Sequence, residues 1–226
     1  MRIGVLLSGS GVYDGAEIHE SVLTLLAIEE AGAEAVCIGV DSKQHHVINH
    51  LTGEEQDEER NMLIEAARIA RGQISSITYV DPADIDMLVI PGGFGSAKNF
   101  TTWALNGPEG DILPEVKLML VNMVNIGKPI VALCVSPVVV AKAFEDSNIK
   151  PFMTIGTDKE ESPYDISGFT QGLESTGAKT TMKTASEINV DRTNKIITAP
   201  CYMMETNLVT LRKNISDAIK AGIELI

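Results

Sequence analysis

Apolar residues in this chain fall into two kinds of run. Ile3–Ser8, Ala35–Val40, Met87–Ile90 and Ile130–Leu133 are short and almost continuously apolar. That is the pattern of parallel strands covered by helices on both faces, since no side chain along them has to meet water. Between them apolar residues recur at helical spacing. A helix is expected over 16–31, with Ile18, Val22, Leu25 and Leu26 on one stripe and Gly32 as its C-terminal stop. A second, over 58–71, carries Met62, Ala66, Ile69 and Ala70 and stops at Gly72. A third, over 114–126, is bracketed by Pro114 and Gly127, the residues that suit a helix start and a helix end. The last, over 208–226, repeats Leu208, Leu211, Ile215, Ala218 and Ile219.

Strands alternating with helices predict a doubly wound, mostly parallel α/β sheet. One stretch breaks the rhythm. Ile188–Val190 and Ile196–Thr198 flank Asp191-Arg-Thr-Asn194 and read as a β-hairpin, an appended edge or a second small ladder. Residues 41–57 and 94–113 are polar, rich in Gly and Asn, and read as long loops of the kind that carry function. No repeat or linker divides the chain, so a single domain over 1–226 is expected.

The chemistry concentrates where Ile130–Leu133 ends at Cys134 and helix-compatible sequence begins at once. A sharp strand-to-helix turn pushes its apex side chain out of the sheet. The adjoining helix N-terminus lowers a thiol's pKa, and the thiolate is the nucleophile. Ligands of open α/β sheets bind beyond the carboxyl ends of the strands. Two further segments reach that end: Ser8–Glu20 and Pro91-Gly-Gly-Phe-Gly95. The glycines Gly92 and Gly93, with the N–H of Val135, are candidate backbone donors for an oxyanion. Glu17 and Glu20, three residues apart in the first turns of a helix, are either solvated carboxylates that offset the dipole or a partner for Cys134. Only a carboxyl kept protonated helps the thiol, because a carboxylate raises its pKa.

Composition narrows the classes. Lys and Arg number 18 against 31 Asp and Glu, a formal charge of −13. Such a chain repels phosphate backbones, which argues against nucleic acid and anionic membrane as partners. Three cysteines at wide spacing form neither a disulfide framework nor a zinc finger, which fits a reducing cytoplasm. Cys37 reads as core, and Cys201, just ahead of the last helix, as packing. The first residues, Met1–Ser8, read as a strand, with too few apolar residues for a signal peptide or a membrane span. Gly9, Gly11 and Gly15 after a strand, with Asp41 closing the next, imitate a dinucleotide fingerprint. The third glycine falls one position late, however, and Asp14 lies where pyrophosphate would. His45, His46 and His50 with Asp41 match no standard metal spacing. No histidine follows Cys134, so a Cys-His-Glu amidohydrolase triad with a downstream His has no candidate. His19 sits beside Glu20 and is a candidate pocket residue, as is Asn99.

Together, Gly11-Val-Tyr-Asp-Gly15, Glu17-Ile-His-Glu20, Val47–Gly53, Pro91–Gly95 with Ala97-Lys-Asn99, and Thr154–Asp158 span most of the chain. As a set they resemble the ElbB-like (enhancing lycopene biosynthesis, isoprenoid biosynthesis glyoxalase) family. That family belongs to the class I glutamine-amidotransferase-like superfamily, in its Parkinson-disease deglycase and intracellular-protease branch. The resemblance implies a flavodoxin-like three-layer α/β/α sandwich, a homodimer, and weak, cofactor-free conversion of glyoxal or methylglyoxal to 2-hydroxy acids. It makes Cys134 the nucleophile, Glu20 its acid/base partner, and Gly93 with Val135 the oxyanion donors. Val135 stands where the superfamily often has His, which speaks against peptidase and amidotransferase activity. The rival reading is a non-catalytic redox sensor or metabolite-binding protein built on the same cysteine pocket.

Overall fold

The computed structural model describes all residues, 1–226. In chain order the elements are β1 (Arg2–Leu7), α1 (Ile18–Glu30), β2 (Glu34–Gly39), α2 (Met62–Ile69), β3 (Ser75–Ser76), β4 (Met87–Ile90), α3 (Trp103–Asn106) and α4 (Pro114–Asn125). They continue with β5 (Ile130–Leu133), α5 (Pro137–Phe144), β6 (Phe152–Met153), α6 (Ile166–Ser175), β7 (Lys179–Thr180), β8 (Asn189–Asp191), β9 (Ile196–Ala199) and α7 (Leu208–Ile223). Seven strands form one sheet in the order β3-β2-β1-β4-β5-β9-β8, parallel throughout except for the antiparallel β8–β9 pair. The doubly wound sheet expected from the pattern, and the flavodoxin-like α/β/α sandwich implied by the family resemblance, are therefore the fold.

The order reverses beside β1, because the chain moves outward one way to β2 and later the other way to β4 and β5. Right-handed crossovers then place α1 on one face and α4 on the other. α1 packs on α7, and α4 packs on α5. Strands β1, β4, β5 and β9 are buried almost end to end, which explains their unalternating apolar sequences.

The hairpin is present and extends the sheet at one edge, as expected: β9 pairs in parallel with β5, from Ile130↔Ile196 to Leu133↔Ala199, and β8 is the outermost strand. Several expectations need correction. The 94–113 region is not an irregular loop. It holds a π-helical turn over Ser96–Phe100, then α3, then a 3-10 turn over Gly107–Glu109. α2 begins at Met62 rather than 58, because Asn61 caps it and residues before it form antiparallel bridges with 43–48. The small β6–β7 ladder has strands of two residues each, too short for any periodicity to reveal.

The largest reversal concerns α1. Ile18, Val22 and Leu26 are 46%, 49% and 38% exposed, while Glu20, Ser21, Thr24, Ala27 and Ile28 face inward. Small side chains at 21, 24 and 27 let α7 approach closely, and Glu20 is directed under the strand ends. Three of the four stripe residues visible in the sequence thus face outward, and only Leu25 packs partly against the core.

Candidate functional site

Three strand ends meet at the reversal of the sheet, and each delivers part of a site. β5 ends at Cys134, whose φ of +56° is left-handed. A non-glycine residue there costs about 1–2 kcal/mol, so the surroundings must hold the turn. Ser136 does so, being fully buried, with its hydroxyl donating to Pro91 O (2.7 Å) and pairing with Ser96 Oγ (2.9 Å). The tip of β5 is thereby tied to the tip of β4, and α5 follows at once.

After β4 comes Pro91-Gly92-Gly93. A Cβ on Gly92 would overlap the Cβ of Cys134 and Oε2 of Glu20, and would lie 2.8 Å from the Cys134 sulfur. Glycine here is what lets thiol and carboxyl share one space. The Gly92 N–H is already committed, donating to Glu20 Oε2 at 2.8 Å. Gly92 is accordingly not an oxyanion donor, which corrects the sequence reading. The N–H of Gly93 donates to no backbone carbonyl, and that of Val135 reaches only the Cys134 sulfur. Both residues line the pocket beside the thiol.

Glu20 is completely buried. Its Oε2 accepts from Gly92 and its Oε1 from the Tyr202 N–H (3.2 Å), and it shares a hydrogen bond with the Cys134 thiol. Burial, then the neighbouring charge of Glu17, pushes its pKa up to about 8. At neutral pH this carboxyl is therefore mostly protonated, the state in which it donates to sulfur. Glu17 is the N-cap of α1, accepting from the Glu20 N–H at 2.6 Å, and burial raises it too. The thiol departs from expectation. Burial, the Glu20 charge and neighbouring Cys201 push Cys134 well above the ordinary thiol range, and the Val135 N–H opposes them only in part. Loss of water at a site 6% exposed outweighs the field of α5, an eight-residue helix. The resting pair is a neutral thiol beside a neutral acid.

Val12, Phe94, Tyr164, Phe169, Tyr202 and Met203 wall the pocket above Cys134, with Glu17 at its edge and about 320 Å³ of empty space, part of it open to solvent. Burial holds Tyr164 up at about 12, so it stays a hydroxyl. None of these wall residues was picked out from sequence. Val12 and Phe94 come from the loops after β1 and β4, Tyr164 and Phe169 from the start of α6 and the residues before it, and Tyr202 and Met203 from the turn after β9.

Two candidates move away from the pocket. Asn99 donates to Ser8 O and Asp14 O (2.9 Å each) and accepts from the His45 N–H (2.8 Å), so it clamps the Gly9–Gly15 loop instead of lining the cavity. His19 does not line the pocket either; its Nδ1 lies 3.0 Å from the Tyr202 hydroxyl. The glycine loop spends its N–H groups internally, Gly11 on Ala16 O and Gly15 on Gly11 O, and is not a phosphate cradle. Asp14 turns inward to accept from Ile48, and His50 accepts from the Tyr13 N–H, so loop 41–57 packs over it. Cys37 and Cys201 are buried and free, and Cys201 adjoins Cys134.

A mostly parallel sheet with a cysteine on a left-handed strand-to-helix turn, over a buried glutamate from α1, is a class I glutamine-amidotransferase-like domain. No family model matches the sequence. The chain is 38% identical, over 99% of its length, to the mitochondrial ES1 protein homolog of Rattus norvegicus, and likewise to the mitochondrial glutamine amidotransferase-like class 1 domain-containing protein 3 of Homo sapiens. These alignments cover 84% and 83% of those proteins. An isoprenoid biosynthesis protein with an amidotransferase-like domain from Ehrlichia chaffeensis superposes with a TM-score of 0.90 at 32% identity, over 100% of this chain and 99% of that one. The chain belongs to this ES1 and ElbB-like family. Glyoxalase III of Candida albicans shares the fold, at a TM-score of 0.59 and 15% identity over 98% of this chain and 97% of that one.

Proposed function

We propose that the protein is a cofactor-free, glyoxalase-type enzyme. It converts small α-oxoaldehydes such as glyoxal and methylglyoxal to 2-hydroxy acids. The observation that carries this reading is the hydrogen-bonded pair of Cys134 with a fully buried carboxyl held near 8. A group that titrates close to neutrality both gives and takes a proton at little cost.

Cys134 sulfur adds to the aldehyde carbon, and the thiol proton reaches the aldehyde oxygen through the Glu20 carboxyl, giving a hemithioacetal. The Gly93 and Val135 N–H groups bear the developing oxygen charge. Glu20, as carboxylate, removes the proton from the former aldehyde carbon, giving an enediol, and returns it to the adjacent carbon. The product is a thioester of the 2-hydroxy acid, and water releases the acid and restores the thiol. The apolar wall and the Glu17 carboxylate favour small uncharged substrates over anions.

The test incubates wild type, Cys134→Ala and Glu20→Gln with methylglyoxal and measures lactate. Wild type turns over, Glu20→Gln loses a factor of about 10² or more, and Cys134→Ala is inactive. Turnover that survives in Cys134→Ala removes the mechanism.

The exposed Ile18, Val22 and Leu26 stripe beside the site supports a homodimer, and sedimentation should give twice the chain mass, falling to one in Val22→Asp. Three free cysteines support a reducing compartment, and we assign the cytoplasm. No helix is long and apolar enough to cross a membrane. Cell fractionation checks the compartment, and recovery in mitochondria, which the rat and human relatives carry in their names, overturns it.

A further inference from the structure

The reaction ends in hydrolysis of a thioester, and that step needs a group to take a proton from water. Cys134 is acylated, and Glu20 must hold its proton for the departing sulfur, so neither is free for this. The superfamily's usual place for a histidine beside the cysteine holds Val135. Yet a histidine stands behind the pocket wall. Tyr202, from the turn after β9, forms part of the wall above Cys134. Its backbone N–H is pinned to Glu20, and its hydroxyl lies 3.0 Å from His19 Nδ1. His19 leads out to solvent at the first turn of α1, its side chain 55% exposed, with Glu17 Oε1 4.0 Å away.

We propose that Tyr202 and His19 form the proton path that activates the water hydrolysing the acyl group on Cys134. The inference rests on Cys134 being the nucleophile. Water held against the Tyr202 hydroxyl attacks the thioester carbon. Its proton passes to the Tyr202 oxygen as the tyrosine proton passes to His19 Nδ1. The tetrahedral oxyanion sits on the Gly93 and Val135 N–H groups, then collapses and breaks the carbon–sulfur bond. The Cys134 sulfur takes its proton from Glu20, which recovers it from solvent, and the imidazolium gives its own proton to solvent. Tyr202 touches the attacking water and is a catalytic residue. His19 acts through Tyr202 and is a positioning residue, which Glu17 orients from the same helix turn. The path starts at the pocket wall and ends in water, which fits a step whose proton must leave the site.

The experiment uses p-nitrophenyl acetate, which acylates a cysteine without any aldehyde chemistry. Wild type, Tyr202→Phe, His19→Ala and Cys134→Ala are compared, with the acyl-enzyme followed by intact mass and its decay by rapid mixing. Wild type should acylate at Cys134 and then deacylate. Tyr202→Phe and His19→Ala should accumulate the adduct and deacylate at least about tenfold more slowly. Added imidazole should restore the rate in His19→Ala, an effect that a merely structural role would not produce. Deacylation of His19→Ala within twofold of wild type, or slowed without imidazole rescue, overturns the path while leaving the nucleophile in place. A wild type that forms no adduct at Cys134 removes both the path and the nucleophile assignment.

Discussion

Replacing Glu20 by Gln should change how stability depends on pH, and the size of the change follows from the geometry. Burial lifts this carboxyl from 4.5, its ordinary value, to about 8. In the unfolded chain it ionises near 4.5, while in the folded chain it holds its proton until about 8. The group's contribution is therefore fully present below 4.5 and is lost as pH rises through the folded value. A span of about 3.5 pH units at about 1.4 kcal/mol each makes the full loss about 5 kcal/mol. Between about pH 5 and about pH 8 the linkage integral comes to about 3.5 kcal/mol. Gln cannot ionise, so the variant lacks this slope. It has a constant penalty instead, because its NH₂ must face one of the two N–H groups, Gly92 or Tyr202, that a carboxyl accepts from. That conflict costs about 1–3 kcal/mol at every pH. Urea unfolding of both proteins at several pH values, followed by circular dichroism, isolates the term by subtraction, since every other titrating group is common to both. Wild type should be the more stable protein near pH 5 and lose its lead by pH 8. A difference that stays constant within about 1 kcal/mol across that range would refute a Glu20 held protonated by burial.

The same ionisation should appear in catalysis: with methylglyoxal, kcat should rise about tenfold per pH unit and level off near 8, because Glu20 must be a carboxylate to take the carbon-bound proton. A profile flat over that range speaks against Glu20 as the base. Gly92→Ala should destabilise the fold by about 3 kcal/mol and abolish turnover, since the added methyl meets the Cys134 Cβ, which no rotamer can move aside. A crystal structure or differential scanning calorimetry checks it. Asn99→Ala removes two donors and an acceptor from the buried clamp on the Gly9–Gly15 loop, for a loss of about 3 kcal/mol by urea unfolding.

Much of the sheet was legible because buried parallel strands need apolar residues along their covered length, and β4 and β5 have them throughout, β1 and β2 after a charged first residue. β9 was legible as a strand but not as a partner of β5, since pairing is set by where the crossover lands, and no local pattern records that. The orientation of α1 was misread for a related reason. Apolar periodicity reports the inward face only when the inward face is apolar, and α1 turns Glu20, Ser21 and Thr24 inward. Cys134 was legible from the strand-to-helix junction and Glu20 from its place in a family motif. The thiol's pKa was not, because the sequence reveals a helix N-terminus but not how completely the surroundings exclude water. Tyr202 and Tyr164 left no trace, since an aromatic wall is assembled from segments far apart in the chain.

The two hydrogen bonds that Glu20 accepts give position 20 a second employment. Its carboxyl is a strut between the tips of β4 and β9, filling a gap that the fold leaves whether or not any substrate arrives. Cys134 has a lighter duty: of backbone donors its sulfur meets only the Val135 N–H, from which a hydroxyl could accept in its place. Among descendants of this chain, the two residues should therefore drift at different rates once the chemistry is no longer selected. The cysteine would be lost first and the glutamate would persist. A relative with Glu at position 20 and no cysteine at 134 would be a folded domain in retirement, and the cysteine is the residue whose survival records continued use.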